Sequence, residues 1–510
     1  MRLAAIGTWL VCIGLAAAAA GASEPPQRTV VLILFDGFLP ALLDAHPTPA
    51  FDRIEREGSF SRDLAPVFPS ISLANQTSIS TGCWPAHHGI VSNEFLDPEL
   101  GRYDHDLGAD WMTGCEHLHQ AAKRQGLRSA ALWYPGTHSK KNGPQATYVS
   151  PDVVHEQRPP DAQRVAELLR LLALPDAERP AFVALYMNGP DTPEHYQGID
   201  SPETAAAVVE ADALVGKILA AIDASPARDR IAVLVTTDHG MRAVDTIVNM
   251  RRILRNHGIA ATPISSGTTS FVYLEKDEPA EMERAAAALS GYPEFEVLRR
   301  GAFPEYAQLG DGPRVPALIV SAKPPYFIEN LERWPSWLQW VGDYGPEFLY
   351  AGFNLKATHG FPPDTEGMQG ILYAWGSGVA RGQKLGPVRA IDIHPTVARL
   401  LGMEPGRAVD GVVIEGLIAP PRRALARSAF DQPASLSHGI VWRARRHPCG
   451  SICERSVASP CSSRWRSETA PKRSRRISSS VTGASTTSAS AVHCPITASA
   501  SDSTSPASAT

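Results

Sequence analysis

Four short runs of the chain are apolar at nearly every position. They are Thr29–Phe35 (TVVLILF), Ala181–Met187 (AFVALYM), Ile231–Thr236 (IAVLVT) and Gly370–Ala374 (GILYA). Continuous apolar runs of this length, rich in β-branched and aromatic residues, predict strands buried on both faces. Between them lie stretches with the 3.6-residue periodicity of amphipathic helices, at Ala162–Leu172, Pro202–Ile222 and Ala390–Leu401. Alternation of this kind predicts an α/β domain over about residues 28–420, with a mostly parallel central sheet and helices on both faces. Residues of about 248–350 interrupt the alternation. They hold a helical stretch (Met250–Asn256), a strand-like run (Ser270–Leu274) and an aromatic segment around Trp334, Trp337 and Trp340. An inserted subdomain at the mouth of the site is expected there, although long loops packed on the core fit the same pattern.

The ends of the chain depart from this pattern. Arg2, the apolar stretch Leu10–Ala20 and the small residues Ala20-Gly21-Ala22 have the form of a secretory signal peptide spanning 1–22. No later run is long enough to cross a membrane. A secreted or periplasmic protein without a stable span after cleavage is therefore expected. After about residue 422 the text turns rich in Ser, Arg, Thr, Ala and Pro, and 422–510 reads as a low-complexity, disordered tail. The same abrupt change is what a reading-frame slip in a GC-rich gene produces. Within the globular part only Cys83 and Cys115 remain, and the sequence leaves a disulfide and two free thiols equally open. The net charge of −5 brings no basic surface outside the tail, so no nucleic-acid-binding surface is expected.

Chemistry enters at the strand ends. Three of the apolar runs finish in acidic or imidazole side chains: Asp36-Gly37, Asp191 with His195 four residues later, and Asp238-His239-Gly240. A further corner carries His359-Gly360. Ligands of parallel sheets collect at the carboxyl ends of the strands. Taken singly, each Asp-Gly is equally a turn. Together, three Asp and three His form a mixed oxygen and nitrogen set that suits zinc-type ions, and six ligands fit two open ions better than one. Between Pro69 and Gly82 a helix is expected to begin at Ser72, where free backbone N–H groups favour an anion. Ser72 is then a candidate nucleophile, with a plain N-cap as the alternative.

This order of motifs resembles the nucleotide pyrophosphatase/phosphodiesterase family of the alkaline phosphatase superfamily. The residues that carry the resemblance are Asp36-Gly37, Ser72 with Asn75, Thr81-Gly82, Trp84-Pro85, His88-Gly89-Ile90 followed by Asn93, Pro190 to His195, Thr237 to Met241, His359-Gly360 with Met368, and Asp392 to Gly402. The resemblance covers about residues 28–415 and implies a metal-dependent hydrolase of phosphodiester or pyrophosphate bonds, acting on nucleotide-type small molecules through a phosphoseryl intermediate. It implies that Asp36, Asp238, His239 and the Ser72 oxygen hold one divalent ion, and that Asp191, His195 and His359 hold a second, both expected to be Zn2+. It assigns Asn75 as donor to a phosphoryl oxygen, and Leu73 and Tyr186 as the walls of a base-binding slot. Leu73 stands where the family carries Phe, and Ala74 where it carries Pro. An alkaline phosphomonoesterase, a phosphonate hydrolase of the same superfamily and a non-catalytic exported metal-binding protein are the alternatives left open.

Overall fold

A computed structural model describes residues 27–420, apart from 106–110, 152–157 and 353. The expected signal peptide and low-complexity tail lie outside the described residues.

The central sheet is built from β1 (Thr29–Phe35), β2 (Ser59–Ala65), β3 (Ser129–Leu132), β4 (Tyr148–Val149), β5 (Phe182–Met187), β6 (Ile231–Thr237), β7 (Gly370–Gly376) and β8 (Gln383–Lys384), in the order β8-β2-β7-β6-β1-β5-β3-β4. β1 lies at the centre, parallel to β5 and β6, with Phe35 level with both Met187 and Thr237. The residues that follow these three strands therefore leave the sheet at one height. The expected parallel character holds from β6 to β4. It fails at β7, which runs antiparallel to β6 and β2. The cause is the connection: the chain passes from His359 at the carboxyl edge into β7 without a crossover helix, so the strand starts at that edge and runs back down.

Alternation along β1 shows why helices cover both faces. Val31, Ile33 and Phe35 join one core with Val165 and Leu168 of α2 (Asp161–Leu172) and Val208, Val215 and Ile218 of α4 (Pro202–Ala224). Val30, Leu32 and Leu34 join the other, with Ile79 of α1 (Ser72–Thr81) and Ile393, Val397 and Leu400 of α5 (Ile393–Leu401). Each such side chain removed from water contributes about 1.5–3 kcal/mol, so both faces of a fully apolar strand favour this sandwich.

Within 248–350, four antiparallel strands form a separate sheet, in the order 261–266, 269–274, 318–322 and 295–299. One face, with Val272, Leu318 and Val320, packs on the helix Pro279–Leu289. The other, with Ile264, Phe271, Leu298 and Ile319, packs against Phe68, Leu73 and Ile90. This second sheet thus forms a wall beside the N-terminus of α1. Cys83 and Cys115 form a disulfide, with an S–S distance of 2.15 Å.

Candidate active site and metal centre

The six strand-end side chains converge at the carboxyl edge of the central sheet. Asp36 follows β1 and Asp238 and His239 follow β6. Asp191 and His195 lie on one face of the short helix α3 (Asp191–Gln197), and His359 precedes β7. Gly37 has a φ of +64°, and a Cβ there would meet the Asp191 Cβ at 2.8 Å, so only glycine lets the two acidic turns touch. Gly240 has a different role. A Cβ there would lie 2.0 Å from the Gly367 carbonyl, so the glycine serves a close backbone approach.

The ligand atoms fall into two groups, Asp36/Asp238/His239 and Asp191/His195/His359, each with its atoms within 4.8 Å of one another. His239 Nε2 lies 3.4 Å from Asp36 Oδ1 and 3.7 Å from Asp238 Oδ2. In the second group Asp191 Oδ1 is 3.4 Å from His195 Nε2 and 3.8 Å from His359 Nε2. The groups adjoin, since the His239 and His359 rings stack with centroids 3.6 Å apart. All three histidines are oriented alike. Nδ1 of His239 donates to Gly240 O at 2.9 Å, that of His195 to Ala357 O at 2.7 Å and that of His359 to Ser70 O at 3.1 Å. A proton fixed on Nδ1 leaves each Nε2 with its lone pair toward the site, the tautomer that metal ligation needs.

The charge balance of these groups calls for cations. Burial, and then the neighbouring Asp36 carboxylate, push Asp238 up to about 8. For His239 burial acts downward, but Asp238 and Asp36 outweigh it and raise the imidazole to about 10. Burial and the facing His239 and His195 hold His359 well below its ordinary value. Asp191 Oδ1 is buried without an aligned hydrogen bond, as are both oxygens of the neighbouring Glu194. Crowded, desolvated carboxylates, imidazoles anchored through Nδ1 and an orphaned acceptor fit divalent ions, which would take the place of the protons on this cluster and supply positive charge.

Ser72 is the first residue of α1, with Ile71 as N-cap and no side-chain cap. Its Oγ lies 3.1 Å from His239 Nε2 and 3.5 Å from Asp36 Oδ1, so the hydroxyl faces the first group.

Two expected roles do not survive the geometry. Asn75 is fully buried; its Oδ1 accepts from Val67 N, and its Nδ2 donates to the carbonyls of Val67, Pro69 and Ile71. Three residues along a helix from Ser72, its side chain folds back onto the preceding turn, which it holds in place, and no N–H is left for substrate. Asn93 stands beside Ser72 instead. Its Oδ1 accepts from Leu73 N at 2.9 Å, which leaves its Nδ2 without a partner among the described residues. The sequence signal for it was its place after His88-Gly89-Ile90, but nothing in the spacing brought it to α1.

Tyr186 is likewise no wall of a slot. It is 2% exposed within β5, and its hydroxyl donates to Asp36 Oδ2 at 2.6 Å. A phenol buried in the sheet offers no face for stacking. Leu73 does line a small cavity of about 20 Å³, together with Tyr103, Trp111 and Met112, but Ser72 does not line it. The aromatic rings near Leu73 are those of Tyr103 and Trp111.

Comparison with known proteins agrees with this geometry. Residues 30–361 match the family model described as type I phosphodiesterase / nucleotide pyrophosphatase. Human ectonucleotide pyrophosphatase/phosphodiesterase family member 7 is 26% identical over 401 residues, covering 76% of this chain and 83% of that protein. Venom phosphodiesterase of Macrovipera lebetinus is 30% identical over 225 residues, covering 43% of this chain, which spans only 26% of that longer protein. In structure, inactive murine ectonucleotide pyrophosphatase/phosphodiesterase 5 in complex with AMP superposes with a TM-score of 0.64 at 22% identity, covering 74% of this chain and 96% of that one. The family model covers well over half of the chain and takes in all six convergent side chains and Ser72, so the chain belongs to the type I phosphodiesterase / nucleotide pyrophosphatase family.

Proposed function

We propose that the chain is an exported hydrolase of phosphodiester or pyrophosphate bonds in nucleotide-type small molecules, with Ser72 as nucleophile. One observation carries this reading: the Ser72 hydroxyl is aimed at His239 Nε2 and Asp36 Oδ1, with the second group of ligands on the far side of His239. Asp36, Asp238, His239 and the Ser72 oxygen would hold one ion, and Asp191, His195 and His359 the other. Zinc is the ion of choice for this oxygen and nitrogen set. When bound, two such ions lower the pKa of the hydroxyl and neutralise charge on the attacking and leaving oxygens.

The chain's own residues do the rest. Ser72 Oγ attacks phosphorus in line, the bond to one substituent's oxygen breaks and that group departs with the hydroxyl proton, and Ser72 is left in a phosphodiester that still carries the substrate's other substituent. The free Nδ2 of Asn93 donates to a non-bridging phosphoryl oxygen, aided by the N-terminus of α1. Water then attacks this Ser72 phosphodiester from the side that the leaving group vacated, the phosphomonoester of the second substituent departs, and Ser72 is restored.

A substrate panel with the zinc-loaded protein tests this. Bis-(p-nitrophenyl) phosphate and a nucleoside p-nitrophenyl phosphate should be turned over faster than p-nitrophenyl phosphate, and mass spectrometry of quenched enzyme should find a p-nitrophenyl phosphoryl or nucleotidyl adduct on Ser72. Preference for the monoester would favour a phosphomonoesterase instead. Wild-type turnover by Ser72→Ala would reject the nucleophile.

A further inference from the structure

The helix that carries Ser72 carries a second polar group with no part in the reaction as described. Gln76 lies one turn later, on the same face as Ser72, and is 2% exposed. Its Nε2 donates to Asp238 Oδ2 at 2.6 Å and to Asp36 Oδ2 at 3.3 Å, bridging the two carboxylates of the first ligand group. The Tyr186 hydroxyl shares the Asp36 Oδ2 atom at 2.6 Å. Asp36 Oδ1 is thereby turned toward Ser72 Oγ and His239 Nε2. Asp238 is pinned from the other side, where Oδ1 accepts from the backbone N–H of Gly37 and of His239.

The orientation of the amide is set by chemistry. Carboxylates that hold an ion are deprotonated and only accept, so in the ion-bound site a flipped Gln76 would press oxygen against oxygen. The cost of the present orientation is visible at the other end, where Gln76 Oε1 is buried without a partner. A side chain that packed for its own sake would not leave that acceptor unsatisfied. Its main chain is tied down as well, because the Tyr134 hydroxyl donates to Gln76 O at 2.9 Å.

The geometry points to Gln76 as a positioning residue that shapes the first metal site and couples it to the nucleophile. One rigid helix sets both the Ser72 oxygen and the spacing of the Asp36 and Asp238 carboxylates, so the hydroxyl and its ion keep a fixed separation. This inference rests on the reading of Asp36, Asp238 and His239 as ligands of one ion.

The test uses the full chain and Zn2+ alone, titrated against a chromophoric chelator. The wild type should bind two ions. Gln76→Met, which keeps the length but loses the donor, should weaken one ion about 10- to 100-fold and leave the other nearly unchanged. At saturating Zn2+ the same variant should lose kcat on bis-(p-nitrophenyl) phosphate about tenfold, with KM hardly moved. Gln76→His, which restores an N–H at similar reach, should recover most of both. Wild-type binding and rate in Gln76→Met would overturn the inference. So would equal weakening of both ions together with a lower apoprotein Tm, since that is what a merely structural role predicts. If the wild type itself binds no pair of ions, the two-ion reading fails first, and the two failures are told apart.

Discussion

The two ligand groups are alike in composition and unlike in construction. Asp36, Asp238 and His239 follow adjacent parallel strands whose register is fixed by the sheet, with Phe35 level with Thr237. They are 7%, 1% and 0% exposed, and donors from Gln76, Tyr186, Gly37 and the His239 backbone surround their carboxylates. Asp191, His195 and His359 instead come from a seven-residue helix and a loop, and the Asp191 and His195 side chains are 18% exposed. Single backbone carbonyls orient the two histidines, and one of these belongs to a two-residue strand pairing Ala357 with Ala243. A sheet edge thus builds a crowded, desolvated and preorganised site, while an assembly of loops builds a more open one that can yield. Both groups are electrostatically shifted, but with different signs: Asp238 and His239 are raised in the first, whereas in the second His195 is raised and His359 is held down.

Substitutions should break this comparison unequally. Asp238→Ala removes a ligand from the rigid group and should cut turnover by about a thousandfold or more, with one ion lost in metal analysis and no rescue by excess zinc. His359→Ala opens the yielding group, so a smaller loss of about a hundredfold is expected, with part of it recovered at high zinc concentration. Asn93→Ala should lower kcat on bis-(p-nitrophenyl) phosphate by about a hundredfold with both ions retained, whereas Asn75→Ala should act on Tm by freeing the turn before Ser72.

The apoprotein should show the strain of the first group in its pH profile. Burial holds His88, His117 and His394 down to about 3, 3 and 4. Groups lowered in this way bind fewer protons when folded, so they add stability as pH rises toward the ordinary histidine value of about 6.5. Asp238 and His239 are raised, to about 8 and about 10. They bind more protons when folded, so the stability they contribute is lost as pH rises through those values. The Asp238 contribution is lost between 3.8 and about 8 and that of His239 between 6.5 and about 10, so above the ordinary histidine value both lower Tm while the buried histidines no longer raise it. A Tm maximum near neutrality, with a decline above it that zinc loading removes, is the expected scan. A flat alkaline limb without zinc would contradict it.

The smallest effect concerns Tyr186. Tyr186→Phe should reduce kcat only a few-fold through the lost Asp36 contact and leave the preference between nucleotide and non-nucleotide diesters unchanged. A lost nucleotide preference would restore the slot.

Much of the site could be read before any coordinates, because parallel topology sends every strand end to one edge. Buried apolar runs that stop at Asp-Gly, at Asp with His four residues on and at Asp-His-Gly therefore announce a shared site even though Asp36 and His359 are far apart in the chain. The same logic explains what was misread. Tyr186 pairs with Leu34, so it shares a face with Asp36 two residues further along β1, and its hydroxyl ends on that carboxylate. Sequence marked Tyr186 as aromatic and close to the site, but only strand register decides which way a ring points. Asn75 and Asn93 differ in the same manner: spacing from Ser72 favours the nearer one, while the fold gives that amide to a turn and brings the farther one to Leu73.

By itself, then, the sequence determined the four strands β1, β5, β6 and β7, the two buried faces, the convergence of six Asp and His side chains and the serine at a helix start, all of which follow from local periodicity and from where parallel strands must end. The tertiary structure alone decided the reversed β7, the cavity beside Leu73 and the partners of Asn75, Asn93, Gln76 and Tyr186. A hydrogen bond has one direction and a reach of about 3 Å, and no pattern of residue types carries that information until the chain is packed.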